Sequence, residues 1–312
     1  MDNKFAIMAD VTCDLDEKLQ KTFGCEVIHG HYMSPDGVDH DSVLDWKEFS
    51  REEFFDNLKK NPNGYKTSPP NVEECYKAFE AHIKEGRGVI SMAISSALSG
   101  TYAFMIQAKN MILEKYPLAQ IEIVDSMRFG PGLGLLAVNA ALKRDSGLSF
   151  EEVVKWINDN KCRFHQSGWM DDLSFVAKKG RISNAKAFFG SLVGIKPLGE
   201  FDYNGLTTVI GKAKGEKMAY KVLIDYMAAF IENPEDQVIF VATSNRHKQA
   251  EVFKDMIVDK FHPKAIYVND VYPNCGINVG PGLMASYYIG KEISKDLVDE
   301  KKAMSEIIEK NR

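Results

Sequence analysis

The feature that most constrains this chain is the regular exchange of short apolar runs with stretches of helical periodicity over its first half. Phe5–Ala9, Cys25–Met33, Val89–Ile94 and Ala119–Val124 read as strands, while Val72 to Lys84 and Tyr102 to Tyr116 read as helices between them. Asp14, with Glu17 three residues on, resembles a capping box for a helix to about Thr22. A further helix is read over Asp45 to Leu58 from the spacing of Trp46, Phe49, Phe54, Phe55 and Leu58. This order predicts a three-layer α/β/α domain: a parallel sheet covered by helices on both faces, with ligands outside the carboxyl ends of the strands.

One such strand end is chemically distinctive. Val89–Ile94 runs into Ser95, Ser96, Ser99 and Thr101 before the next helix, so hydroxyls meet the amide groups and positive dipole end of a helix start. These residues suit either an anion or the ordinary task of helix capping. Thr67 and Ser68 lie on a segment stiffened by Pro69 and Pro70, where Thr67 could equally cap the helix from Val72. Ser68, Ser95 and Asp125 are expected to gather on one sheet edge. Gly130-Pro131-Gly132-Leu133-Gly134 invites comparison with a dinucleotide fingerprint, but Leu135 stands at the third glycine, and a tight turn into a helix is the simpler role.

A length of 312 residues predicts two domains, drawn at 1–160 and 161–312. In the second, strands over Gly194–Phe201 and Leu206–Lys212 flank Asp202-Tyr203-Asn204-Gly205, a hairpin signal. Helices 216–231 and 248–260 and strands 238–243 and 265–271 complete a mixed sheet, with the antiparallel pairing that the first domain is expected to lack. Asp171 and Asp172 are read as helix-start residues rather than magnesium ligands. His29 and His31 would share a strand face, lining a pocket or the surface, since no third metal ligand stands nearby. Cys275–Gly282 reads as a ligand-facing loop. Ser294 to Lys310 is an amphipathic helix suited to docking on its own domain or to dimerisation.

Composition narrows the function. A net charge of −5 without basic blocks argues against a nucleic-acid partner, and the five dispersed cysteines suggest neither a disulfide framework nor a zinc site. No apolar run reaches the roughly 20 residues of a membrane span, and no signal-peptide pattern follows Met1, so a cytoplasmic protein is expected. Nucleophile-elbow, P-loop and zinc-protease motifs do not occur.

The segment Ile94-Ser95-Ser96-Ala97-Leu98-Ser99-Gly100-Thr101-Tyr102 resembles the hallmark of the DegV family, bacterial proteins that bind a fatty acid and present it to a fatty acid kinase. Asp10–Leu15, Lys66–Pro70, Val124–Ser126, Lys179-Gly180-Arg181-Ile182-Ser183, Ile195–Leu198 and Gly280–Gly282 match in the same order, up to about Ile289. The resemblance implies one long-chain fatty acid of the palmitate, stearate or oleate class in an apolar channel between the domains. Its carboxylate would be held by Thr67, Ser68, Ser95, Ser96 and Asn278, with Arg181 and Lys214 at the mouth or partner surface. It implies no catalytic residue, no metal and no cofactor. Three positions depart from the pattern: Pro69 replaces a usual glutamine, Asn278 a histidine and Lys214 an arginine. A lipid sensor without phosphotransfer is therefore an alternative. A serine acyl hydrolase using Ser95 or Ser96, or a transferase similar to the substrate subunit of dihydroxyacetone kinase, is another.

Overall fold

The computed structural model describes residues 4–182 and 194–312. Ser183 of the Gly-Arg-Ile motif lies outside them. The first half runs β1 (Phe5–Asp10), α1 (Glu17–Phe23), β2 (Cys25–Ile28), β3 (His31–Met33), β4 (Asp39–Asp41), α2 (Arg51–Lys60), β5 (Lys66–Ser68), α3 (Val72–Lys84), β6 (Gly88–Ala93), α4 (Thr101–Lys115), β7 (Ile121–Asp125), α5 (Pro131–Asp145) and α6 (Phe150–Asn160). There follow β8 (Phe164–Met170), α7 (Ser174–Lys178), β9 (Ile195–Phe201), β10 (Thr207–Lys214), α8 (Gly215–Phe230), β11 (Val238–Thr243), α9 (His247–Phe261), β12 (Ala265–Asp270), α10 (Pro273–Val279), β13 (Leu283–Ile289) and α11 (Val298–Lys310). Two compact units form: one from the chain up to Trp46, Asn63–Lys161 and Tyr272–Asn274, the other from Lys47–Pro62, Cys162–Val271 and Cys275–Arg312.

In the first unit a parallel sheet has the order β2-β1-β6-β7, and β1 and β6 are buried along their whole length. Ala6, Val89 and Ile123 pack with Phe79, Met105 and Ile112 of the helices in one core cluster. Two expectations are corrected here. The strand read over Cys25–Met33 breaks after Ile28, and at Gly30 the chain passes the Ser68 carbonyl so closely that a Cβ would stand 2.8 Å from its oxygen. Beyond the break, β3 pairs antiparallel with β4 and with β5, so this unit does contain antiparallel pairing. His29 and His31 accordingly do not share a strand: His29 Nδ1 bonds the Ser42 carbonyl and His31 Nε2 bonds Glu74.

Helix starts shift for local reasons. Asp16, not Asp14, caps α1 by accepting from the Leu19 amide, whereas Asp14 takes a left-handed conformation and its carboxylate accepts from the Tyr272 amide. Ser50 caps α2, so the helix begins after Phe49, and Trp46 instead stacks on Tyr272 with ring centres 5.3 Å apart. Gly134 of α5 sits where a Cβ would lie 2.4 Å from the Cys13 carbonyl oxygen, which gives the glycine-rich segment a packing role at the helix start.

The second unit is built on a mixed sheet of order β10-β9-β8-β13-β11-β12, in which only β11 and β12 pair in parallel. The expected hairpin joins β9 and β10: the Asp202 carboxylate accepts from the Asn204 and Leu206 amides, and Gly205 has a φ of 80°. Central strands β8 and β13 were not expected from sequence. Two of their buried polar side chains find partners, Ser167 with Ser286 at 3.0 Å and His165 with Glu200 of β9 at 2.8 Å, and at Gly168 a Cβ would lie 2.3 Å from the Met284 carbonyl oxygen. Helix α11 docks on its own unit, with Met304 and Ile308 against Gly211 and the apolar face of α8. Among the described residues no helix is long and apolar enough to cross a membrane.

Candidate functional site

The order β2-β1-β6-β7 places the chain's two excursions from β1 on opposite sides, so the carboxyl ends of β1 and β6 flank a topological switch point, where ligands of open α/β sheets bind. Asp10 closes β1 there. Its buried carboxylate accepts from the Ile94 amide at 2.6 Å and from the amide and hydroxyl of Thr12 at 2.9 and 2.5 Å. Its pKa is nonetheless raised, because burial penalises the charged form more than these bonds favour it.

The hydroxyl segment hangs from this edge, though not as an open helix start. The Ser95 amide donates to the Arg128 carbonyl at 2.9 Å and the Ser96 amide to Asp125 at 3.2 Å. Ser95 Oγ accepts from the Ala97 amide, and the Ser95 carbonyl accepts from Leu98 and Ser99. Helix α4 then begins at Thr101 behind Gly100, which offers no side-chain cap, while Ser99 and Thr101 share a 2.8 Å hydroxyl bond. At the start of the segment the expectation of free amides facing an anion is corrected: the chain's own acceptors engage the amides of Ser95, Ser96 and Ala97. What the segment offers a ligand is hydroxyl hydrogens, from buried Ser95 and exposed Ser96.

Thr67 and Ser68 lie on β5, opposite Tyr32 and His31 of β3. The cap of α3 is Asn71, in a capping box with Glu74, so Thr67 is not needed for that task. Because β3 follows directly on β2, and Gly30 abuts the Ser68 carbonyl, these hydroxyls belong to the same carboxyl edge as Asp10. His31 fastens the small sheet. Its Nε2 is 2.8 Å from Glu74, and its Nδ1 lies 3.4 Å from Asp41 and 3.7 Å from Asp39. The bond to Glu74 is the main cause of a raised pKa for His31.

The remaining sequence candidates belong to the second unit. Asn278, expected on a loop, stands in helix α10, which ends in the turn Gly280-Pro281-Gly282 with φ of 75° and 103° at the glycines. That turn is tied to Asp171 and Ser244 by the Asp171 amide on the Gly282 carbonyl and the Gly282 amide on the Ser244 carbonyl. Asp171 does not start a helix; it is held between Lys196 at 2.5 Å and Arg246 at 2.7 Å, and these hydrogen-bonded cations keep its carboxyl below the ordinary range although burial opposes them. Lys214 ends β10 exposed, whereas Arg181 adjoins Ile182, which bridges Thr207 at the other end of that strand. Seven residues of strand separate those ends, about 23 Å, so the two cations are not brought together.

Residues 4–291 match the model of the family described as "Uncharacterised protein, DegV family". This chain belongs to the DegV family. A DegV domain-containing protein of Clostridium perfringens is 33% identical over 289 residues, covering 92% of this chain and 98% of its own. Among solved structures, a fatty-acid-binding DegV family protein of Thermus thermophilus superposes with a TM-score of 0.81 at 22% identity, over 92% of this chain and 99% of that one. The fatty acid kinase B3 protein of Streptococcus pneumoniae, loaded with linoleic acid, superposes with a TM-score of 0.76 at 20% identity, over 92% and 99%.

His31, read from sequence as lining a pocket or the surface, has carboxylate partners from β4 and α3 that no local pattern announces. Arg128 escaped the sequence reading, although it is the sole charge between Asp125 and Lys143, in an otherwise apolar and glycine-rich run, and is completely buried.

Proposed function

We propose that this DegV family protein binds one long-chain fatty acid, seats its carboxylate on the hydroxyl edge of the first unit, and presents it to a fatty acid kinase. The observation that carries the reading is the position of Ser95 and Ser96 at the switch point, in a fold shared with neighbours that hold fatty acids. Thr67, Ser68, Ser95 and Ser96 supply hydroxyl donors to the head group, and Asn278 an amide. Arg181 and Lys214 serve a partner surface. An acyl chain of about fourteen methylenes contributes roughly 11 kcal/mol by burial, before the costs of binding. That is ample for a ligand retained through purification.

Hydrolysis by Ser95 or Ser96 requires a base within hydrogen-bond reach. The three histidines that the sequence offers as bases bond other residues: His29 bonds Ser42, His31 bonds Glu74 and His40 bonds Ser34. A carrier role is therefore favoured, and a serine-directed fluorophosphonate should leave the protein unlabelled. Within the carrier role, Asn278 favours a second form, lipid binding without phosphotransfer, because asparagine has no titratable proton. Titrating delipidated protein with oleate tests the shared core of both forms: a single site is expected, and absence of binding overturns the proposal. Acyl phosphate formation with an added family kinase then separates the two.

A further inference from the structure

We infer that Asp10 is the positioning residue of the hydroxyl edge: its carboxylate fixes the strand end that carries Ser95 and Ser96, and so sets how tightly those hydroxyls hold a ligand head group. This deepens the fatty-acid reading and rests on it. The ladders that fix β6 stop short of the hydroxyls. Pairing with β1 runs to Met92 opposite Ala9, and pairing with β7 to Ala93 opposite Asp125. Beyond that point the β7 side still ties the segment, through the Ser126 amide on the Ala93 carbonyl at 3.1 Å, the Ser95 amide on the Arg128 carbonyl at 2.9 Å and the Ser96 amide on Asp125 at 3.2 Å. On the β1 side the chain turns away into the short helical turn Val11–Cys13, and Ile94 donates its amide to the Asp10 side chain instead of to backbone. The Asp10 carboxylate is thus the tie on the side of the strand end that faces the switch point.

A carboxylate is a costly choice for that place. Asp10 is 1% exposed, no cation among the described residues pairs with it, and burial raises its pKa. A neutral acceptor would bond the Ile94 amide with less desolvation. Two acceptor oxygens, however, serve two sides at once: Oδ2 takes the Ile94 amide, while Oδ1 takes the amide and the hydroxyl of Thr12. The turn after β1 and the end of β6 are thereby held to one rigid plane. An asparagine keeps one acceptor oxygen and turns an N–H toward the other side, so it satisfies Thr12 or Ile94 but not both. The body of β6 does not depend on this bond, being buried along its length and paired on both edges. The loss falls on the segment beyond it, where Ser95 and Ser96 stand.

The test is a double-mutant cycle on delipidated protein, with Asp10→Asn, Ser96→Ala and their combination, read by oleate titration. Asp10→Asn is expected to weaken binding about tenfold. It should weaken binding far less once Ser96 is already alanine, because the hydroxyl it positions is gone. A purely structural aspartate would instead give losses that multiply. A folded Asp10→Asn variant with parental affinity, or losses that multiply in the combined variant, overturns the inference while leaving fatty-acid binding intact. Should Asp10→Asn not fold, Thr12→Val, which removes the hydroxyl that steadies the carboxylate, takes its place in the same cycle. A loss that shrinks in the Ser96→Ala background then supports the inference, and no loss, or one that multiplies, overturns it. An unaltered protein that binds no oleate removes the underlying reading and the inference together.

Discussion

At the scale of residues, the hydroxyls and Asp125 are the part of the site that the sequence displays, and their hydrogen-bond partners are the part it conceals. Ser95 and Ser96 were visible because four hydroxyls at one strand end exceed a helix cap, yet the engagement of their amides by Asp125 and the Arg128 carbonyl depends on neighbours some thirty positions away. Only their side chains remain to act. Ser96→Ala and Thr67→Val are therefore each expected to weaken oleate binding by about 1–3 kcal/mol, the worth of a charge-assisted hydrogen bond, with unchanged melting temperature. Calorimetric titration checks this; parental affinity in both variants would relegate the residues to scaffolding. Asn278 raises a separate expectation. With no titratable proton there, acyl phosphate formation with a family kinase should be weak and should rise in Asn278→His, which a kinase-coupled assay reads directly.

At the scale of elements, strands with apolar runs were legible and those with paired polar residues were not. β1, β6 and β11 are uniformly buried and largely apolar, and in β7 Ile121, Ile123 and Val124 are buried. In β8, by contrast, His165, Gln166 and Ser167 are equally buried, because Glu200 and Ser286 come from distant strands to bond them, and no local pattern announces such partners. Gly168 makes the β8–β13 pairing possible. Gly168→Ala would press a methyl onto the Met284 oxygen and Ala285, both backed by backbone, so a loss at or above the ~1–3 kcal/mol typical of overpacking is expected in denaturant unfolding. The small β3–β4–β5 sheet should instead respond to pH. His31 has a folded pKa above its ordinary value, so its ion pairing stabilises fully below the unfolded value of about 6.5 and is lost as pH rises through the folded one. Amide exchange in β3 and β5 should quicken at high pH beyond the intrinsic rate, and His31→Gln should abolish that excess; equal protection in both proteins would show that the cluster does not fasten the sheet.

At the scale of the whole molecule, alternating strands and helices sufficed to read a parallel α/β sheet followed by a mixed one, because burial on both faces leaves few other arrangements. The reassignment of Lys47–Pro62 and of Tyr272–Asn274 to units remote in sequence was not legible, since long-range contacts such as Trp46 with Tyr272 and Asp14 with the Tyr272 amide leave no periodic trace. Function enters at this scale too: the switch point exists only once β2 and β6 stand on either side of β1. The central claim is that this point receives the carboxylate of a retained fatty acid. Its most direct test is mass spectrometry of the lipid extracted from protein purified from a bacterial host. The account expects one long-chain monocarboxylic acid at close to one per chain. An extract without any such amphiphile, from a protein that also fails to take up added oleate or palmitate, would contradict it.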